Sequence, residues 1–446
     1  MSYNKLLNLI VLIPVVFILL SGVSASAENA DKGSAVKGIY PAQSIYIDKS
    51  LYTDASMYDN SPVSDHIVKV GLCYGSEAVH EANIQNTASG EFIIGYFNAD
   101  RVFTPVQNIN SSSLRIDLLA NEINGIPDDE DDTDDFKPGF RILDGDDGEL
   151  LYTAADGDMS IAIISDDGAS ISFLGGQYYG GFEFLLVGDA MTVVNYVPLE
   201  TYVKGVVPYE MSPYFPFEAL RAQAVCARTY AVYNYDGFSE YGFDLTDDTR
   251  SQVYGGEGRA DQVTDSAVDT TAGLIVRYQG QPCEVYYSSS FGGASESGAN
   301  VFDSDRPYLS GKADPFEKAV DFDLKTWHFS KSAMELTELL QSRNYDIGTV
   351  ISVTPVRSAT DNVIALIYED EQGKTVCIEG RRCYTMLGLH SCRFEIIKDG
   401  ENFDFYGSGW GHNCGMSQWG AFAMAEIYGY NYEDIIRFYF TGAYIA

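Results

Sequence analysis

Glu210 is the residue of this chain whose setting best suits acid–base chemistry. It lies in Val206-Val-Pro-Tyr-Glu210-Met211, with Phe215 and Phe217 close behind. Burial of a carboxyl among such neighbours disfavours its charged form and raises its pKa, as a general acid working near neutral pH requires. Just downstream, Pro216 opens a predicted helix running to about Asn234, with Glu218 favourably placed in its first turn. That helix carries Arg221 and Arg228, two turns apart on one stripe. The competing reading of Glu210 is a loop glutamate paired with a nearby arginine.

Further polar and aromatic residues cluster in two other stretches, Tyr286-Tyr-Ser-Ser289-Ser-Phe-Gly292-Gly293 and Gly407-Ser-Gly-Trp410-Gly-His412-Asn-Cys-Gly-Met-Ser-Gln418-Trp-Gly-Ala421. Gly292 and Gly293 allow close approach of backbone to a ligand, or simply form a turn. Trp410 and Gln418 suit a sugar, one by stacking and the other by hydrogen bonding. Arg228, with Arg221, either holds a carboxylate bidentately, orients the glutamate, or makes a structural ion pair with Glu218 or a sheet carbonyl. Lys204 and His412 face the same choice between lining a groove and holding the fold. With Ser289, these residues make up the candidate substrate-binding set.

The elements that must position them read as α+β. Short alternating runs separated by Asp-Gly and Gly-Gly turns predict antiparallel strands at Ile161–Ile164, Ile171–Phe173, Phe182–Leu186 and Met191–Asn195. A helix near 262–271 leads into a hairpin turning at Gln279-Gly280. An amphipathic helix spans 333–343, strands follow near 350–356 and 363–368, and two helices close the chain, the last capped by Asn431 with Asp434 three residues on.

Upstream, 64–120 alternates in strand fashion and reads as a small β-rich accessory region. Residues 121–148 read as an acidic insert or linker, since Asp128–Asp135 is a run of carboxylates that repel one another. Before these, 28–63 is a leader or linker. Lys5, the apolar run Leu6–Leu20 and Ala25-Ser-Ala27 form a secretory signal over 1–27, which places the protein outside the cytoplasmic membrane, either secreted or held by that segment left uncleaved.

Composition narrows the function. A formal net charge of −36 argues against nucleic acid and against electrostatic docking on anionic membranes or wall polymers. The 32 tyrosines against 3 tryptophans fit a β-rich protein, and tyrosine also suits sugar faces. The seven cysteines make no disulfide framework. Cys377, Cys383, His390 and Cys392 lack the paired spacing of a structural zinc site, so free thiols or a disulfide within the trio are favoured there. Cys226 reads as a small buried hydrophobe.

Val197-Pro-Leu-Glu200-Thr-Tyr-Val-Lys204-Gly-Val-Val-Pro-Tyr-Glu210-Met, continuing through Pro216-Phe-Glu-Ala-Leu-Arg221-Ala-Gln-Ala-Val-Cys-Ala-Arg228-Thr-Tyr230, together with the Gly407–Ala421 block, resembles the SpoIID/LytB-domain family of cell-wall proteins. The resemblance covers roughly 158–446 and implies a SpoIID-like α+β domain over 149–446. It also implies peptidoglycan glycan strands as the partner. In the SpoIID branch it implies a lytic transglycosylase acting on strands freed of stem peptides, with Glu210 as the acid. In the LytB branch it implies a non-catalytic enhancer of an amidase working on the same wall. The sequence departs from the family pattern at Tyr287, where many relatives carry histidine, and at Ser295, where they carry threonine. The cysteines that bind zinc with that histidine in some relatives are missing here, so no metal or cofactor is expected.

Overall fold

The computed structural model describes residues 66–119, 139–154, 159–323 and 325–446. The predicted signal, the leader and the Asp128–Asp135 run lie outside the described residues. The architecture is α+β, with predominantly antiparallel sheets and packed helices.

Two large sheets share one core. The first has the order Leu245–Thr246, Ile67–Cys73, Ala190–Pro198, Gly181–Val187, Ser160–Ser165, Phe92–Phe97, Phe103–Ile109. Its opening pair is parallel, Val70 lying opposite Leu245, and the other pairs are antiparallel. The second runs Gly176–Tyr178, Ile171–Phe173, Glu81–Asn86, Ser113–Leu119, Gly139–Asp144, Leu150–Thr153. Alternation places Ala82 and Ile84, and Leu114, Ile116 and Leu118, on the buried face, as a half-solvated antiparallel sheet requires. The stretch 64–120, which strand-like alternation sets apart as an accessory region, contributes strands to both sheets alongside residues 139–198.

The helices are α1 (Leu199–Glu210), α2 (Phe217–Tyr233), α3 (Gln262–Asp269), α4 (Gly298–Phe302), α5 (Ala333–Gln341), α6 (Arg382–Thr385), α7 (Gln418–Glu426) and α8 (Tyr432–Tyr439). α1 is a finding that sequence reading missed, since it placed the first helix of this segment at Pro216. Its buried positions Leu199, Tyr202, Val203, Val206 and Val207 follow the spacing of a helix with one apolar stripe. Gly205 is required by contact, since a Cβ there would lie 2.5 Å from the Tyr254 ring. α2 buries residues around its whole circumference, among them Ala219, Gln223, Cys226 and Arg228, the pattern of a central helix.

A second core lies within 326–408. It combines a sheet of order Thr326–Ser332, Asn402–Ser408, Phe394–Asp399 with one of order Val350–Arg357, Val363–Asp370, Thr375–Glu379. α5, begun by a capping box between Ser332 and Glu335, packs Leu336 and Leu340 against Val350, Leu366, Phe403 and Phe405. All seven cysteines are free thiols, with only Cys377 exposed. No helix among the described residues is long and apolar enough to cross a membrane.

Candidate active site

Glu210 is the last residue of α1. Counting from Leu199, it continues the buried stripe one further turn beyond Val206 and Val207, so the spacing that packs α1 also carries this carboxyl toward the interior. The residue remains partly exposed. Its Oε1 accepts a hydrogen bond from the Val253 N–H at 3.0 Å, and the Gln418 side chain supplies another. Burial outweighs both and pushes its pKa up to about 7, with no charged group among the causes. The alternative of an arginine-paired loop glutamate is therefore not what is found.

Tyrosine and glutamine side chains surround it. Tyr202, Tyr230 and Tyr287 all lie within its electrostatic reach. Tyr287 donates its hydroxyl to Gln252 Oε1 at 2.6 Å, and Gln252 Nε2 donates to the Tyr202 hydroxyl at 3.1 Å. Gln418 Nε2 faces Gln223 Oε1 at 3.5 Å. Gln223 Nε2 and Ser288 Oγ are buried without a hydrogen-bonding partner among the described residues.

Backbone pairing brings the distant segments together. Tyr287–Ser288 pairs in parallel with Met416–Ser417, and Ser290 bridges Trp410 through reciprocal backbone hydrogen bonds of 3.1 and 2.8 Å. A buried carboxylate, Glu317, ties both arms. It accepts from Ser290 Oγ at 3.0 Å, from the Phe291 N–H at 2.6 Å and from Ser417 Oγ, and Ser417 caps α7 immediately before Gln418.

The other candidate residues fall elsewhere, and several are corrected. Arg228 is fully buried. It grips Glu200 at 2.8 and 2.6 Å and donates to the carbonyls of Leu274 and Val268, so its guanidinium is a clamp inside the fold rather than a hand for a ligand. Arg221 pairs with Glu218 at 3.1 Å and covers the Tyr432 ring. Lys204 pairs with Asp269 at 2.8 Å, on a different face of α1 from Glu210.

His412 accepts from the Cys414 N–H at its Nδ1, 3.1 Å, so the proton rests on Nε2, which donates to the Tyr287 carbonyl at 2.9 Å. Burial drives its pKa down to about 3, so the ring stays neutral while it braces the Tyr287 carbonyl. Trp410 stacks on His390 at 3.8 Å. The Ser289 carbonyl accepts from the Trp419 N–H. Gly292 has φ +66°, and a Cβ there would meet Ser408 Oγ at 2.4 Å, whereas Gly293, with φ +115°, borders open space.

Sequence reasoning missed Gln252, the Val253 N–H, Tyr202, Tyr230 and Gln223. Tyr202, Gln223 and Tyr230 stand within the Val197–Tyr230 motif, which was a signal for them; Gln252 and Val253 lie outside it, and only the chain fold brings them in.

The site is thus a single protonatable carboxyl among neutral, hydrogen-bonding side chains, carried on an α+β scaffold. Comparison with known proteins adds the lineage. Residues 187–278 match the SpoIID family, Stage II sporulation protein. Stage II sporulation protein D of Bacillus subtilis is 33% identical over 272 residues, which cover 57% of this chain and 76% of that one. An uncharacterised protein of Brachyspira hyodysenteriae is 36% identical over 293 residues, 64% of this chain and 76% of its own. The amidase enhancer of B. subtilis is 28% identical over 286 residues, 54% of this chain and 39% of its own. The chain belongs to the SpoIID family.

Proposed function

We propose that the protein remodels the cell wall as a lytic transglycosylase, cutting the MurNAc–GlcNAc bonds of denuded glycan strands with Glu210 as its single acid and base. The observation that carries this reading is the isolation of Glu210: its carboxyl is poised near pH 7 by burial, with no cation or second carboxylate among the groups that set its protonation. An ordinary glycosidase needs two carboxyl groups flanking the bond. A transglycosylase needs one. Glu210 gives its proton to the leaving glycosidic oxygen as the C1–O bond breaks. It then takes the proton of the muramic acid 6-hydroxyl as that oxygen bonds to C1, which closes a 1,6-anhydro ring without consuming water.

Beside the partly exposed Glu210, Tyr287 and Gln418 offer a hydroxyl and an amide of the kind that suits sugar hydroxyls, while Gln223 and Gln252 are buried. The relatives' names support the setting in cell-wall remodelling. One of them, the amidase enhancer, favours a second reading in which the protein binds glycan and assists an amidase without cutting; Tyr287 in place of histidine points the same way.

The deciding experiment is mass spectrometry of the products from denuded strands incubated with wild type and with Glu210→Gln. Anhydro-muramyl ends from wild type alone are the expected result. Reducing ends would mean hydrolysis with another carboxylate. Binding without cleavage in both proteins would favour the amidase-assisting reading.

A further inference from the structure

A cleft of about 620 Å³ opens in the 326–408 lobe. Trp327 and Phe394, both nearly fully buried, lie at its base. Gly407 belongs there by necessity, since a Cβ would sit 2.1 Å from the Trp327 ring. One edge is a ledge of two parallel rings, His328 and Tyr406, 4.4 Å apart and inclined by 13°; Tyr406 is 46% exposed.

Another edge holds two arginines fixed by main-chain carbonyls. Arg357 donates to the carbonyls of Asp361 at 3.0 Å and Phe394 at 2.8 Å. Arg393 donates to the carbonyl of Thr360 at 2.9 Å. Arg393 also donates to the buried Asn362 Oδ1 at 3.4 Å; the other partners of the pair are exposed carboxylates. Glu395 reaches Arg357 at 2.8 Å, while the Asp361 carboxylate stands 3.6 Å from Arg357 and 3.8 Å from Arg393. Those last two distances exceed a hydrogen bond.

The guanidinium groups are thus held in place without depending on the Asp361 carboxylate, which satisfies neither of them. A ligand carboxylate entering there could bond to both, the geometry that makes arginine pairs selective. The ring ledge offers the flat apolar surface that a hexose face stacks on. Asp361 and Glu395 together disfavour a densely anionic ligand such as a polyphosphate. The cleft also adjoins the active-site segments: Ser408 Oγ, in its wall, donates to the Gly292 carbonyl at 3.3 Å, and Trp410 lies two residues further on.

We propose that this cleft is a second, non-catalytic binding site for a carboxylate-bearing sugar of the strand that Glu210 acts on: a muramic acid whose lactyl carboxylate is free. The inference rests on the glycan reading of the Glu210 site and deepens it. In strands that still carry stem peptides that carboxylate is tied up as an amide, so the arginine pair would detect that the peptide has been removed.

The test is equilibrium binding, run in the Glu210→Gln background so that no strand is cut. The probes are denuded strands, the same strands with the lactyl carboxylates converted to methyl esters, and strands retaining stem peptides. Esterification and stem peptides should each weaken binding roughly tenfold, the worth of one good charged hydrogen-bonding pair. Arg357→Gln combined with Arg393→Gln should abolish the discrimination. Tyr406→Ala, an exposed change, should weaken all three probes alike. If the arginine pair proves necessary for folding, Arg357→Lys keeps the charge without the fork and should still lose the preference. Retained preference in the arginine variants, equal binding of all three probes, or tighter binding of peptide-bearing strands would each overturn the proposal. Because the readout is binding, a protein that binds denuded strands selectively yet makes no anhydro product would refute the transglycosylase reading and leave this one standing.

Discussion

Glu200 and Glu210 occupy the first and last turns of the same helix, α1, and differ in what faces them. Glu200 meets the buried guanidinium of Arg228 and also accepts from the Gly273 N–H at 2.9 Å. Glu210 meets one backbone N–H, one amide side chain and a ring of tyrosines. The helix itself favours the contrast, because its amino end stabilises a negative charge and its carboxyl end opposes one. Residue type therefore says little about role in α1. The charge of Glu200 joins α1 to α2 and to the loop after α3, whereas Glu210 is kept close to neutral and available for proton transfer.

The comparison breaks first if the two residues can exchange consequences. Glu210→Gln should lower glycan cleavage by roughly 10³-fold, within the usual range for loss of a general acid–base, while folding and glycan binding persist. Glu200→Gln should do the reverse. It leaves the Arg228 charge buried without its partner, which costs about 3 kcal/mol or more, read as a clear fall in melting temperature. A Glu200→Gln protein that melts like wild type would show that Arg228 is satisfied by neutral acceptors, the Leu274 and Val268 carbonyls with the new amide oxygen, and needs no opposite charge.

A pH series sharpens the same contrast. The folded pKa of Glu210 is raised to about 7 from a reference of 4.5. The stability linked to its protonated form is therefore complete below pH 4.5 and is lost as pH rises through about 7. Wild type should lose stability relative to Glu210→Gln across that window, on the order of 3 kcal/mol at about 1.4 kcal/mol per pH unit. Asp247 is raised to about 7 as well, chiefly by burial, so the difference between the two proteins, rather than either curve alone, isolates Glu210. Cleavage should follow the same group, falling on the alkaline side as the acid loses its proton. A flat difference across pH 4.5–7 would mean that Glu210 is solvated as an ordinary surface carboxylate.

How much of this was legible in the sequence depends on how local the cause is. The amphipathic helix at 333 and the Asn431 cap of α8 are local, and both appear where the residues predict; the capping box that starts α5 is local too, but was not foreseen. The upward shift of Glu210 was legible from its apolar chain neighbours, but the groups that face it, Val253, Gln418, Tyr230 and Tyr287, come from distant segments. α1, with Pro208 and Gly205 inside it, was not foreseen, although the stripe from Leu199 to Val207 was there to be counted. Arg228 was misplaced because its partner lies 28 residues away on another helix, and nothing local distinguishes a clamp from a substrate hand. The tie between the Tyr287 and Gln418 segments depends on a parallel pairing of residues more than a hundred positions apart and on Glu317 beneath it; neither has a sequence signature.

The smallest effect comes from the residue that tempers Glu210. The Gln418 hydrogen bond stabilises the ionised carboxyl and so opposes the upward push of burial. Removing it in Gln418→Ala should raise the Glu210 pKa further, shifting the alkaline limb of the cleavage profile upward by less than one pH unit and lowering the maximal rate as the acid weakens. Gln418→Glu should act more strongly, since a second carboxylate in the same low-dielectric setting makes ionisation of the pair costlier. Gln418 lies at the start of α7, directly after Ser417, which Glu317 holds. Glu317→Gln should therefore reproduce part of the Gln418→Ala shift by loosening that helix start, without contacting Glu210 itself. If Gln418→Ala moves the profile downward, the amide cannot be donating to the carboxyl, and the protonation of Glu210 would have to be governed by the tyrosine ring instead.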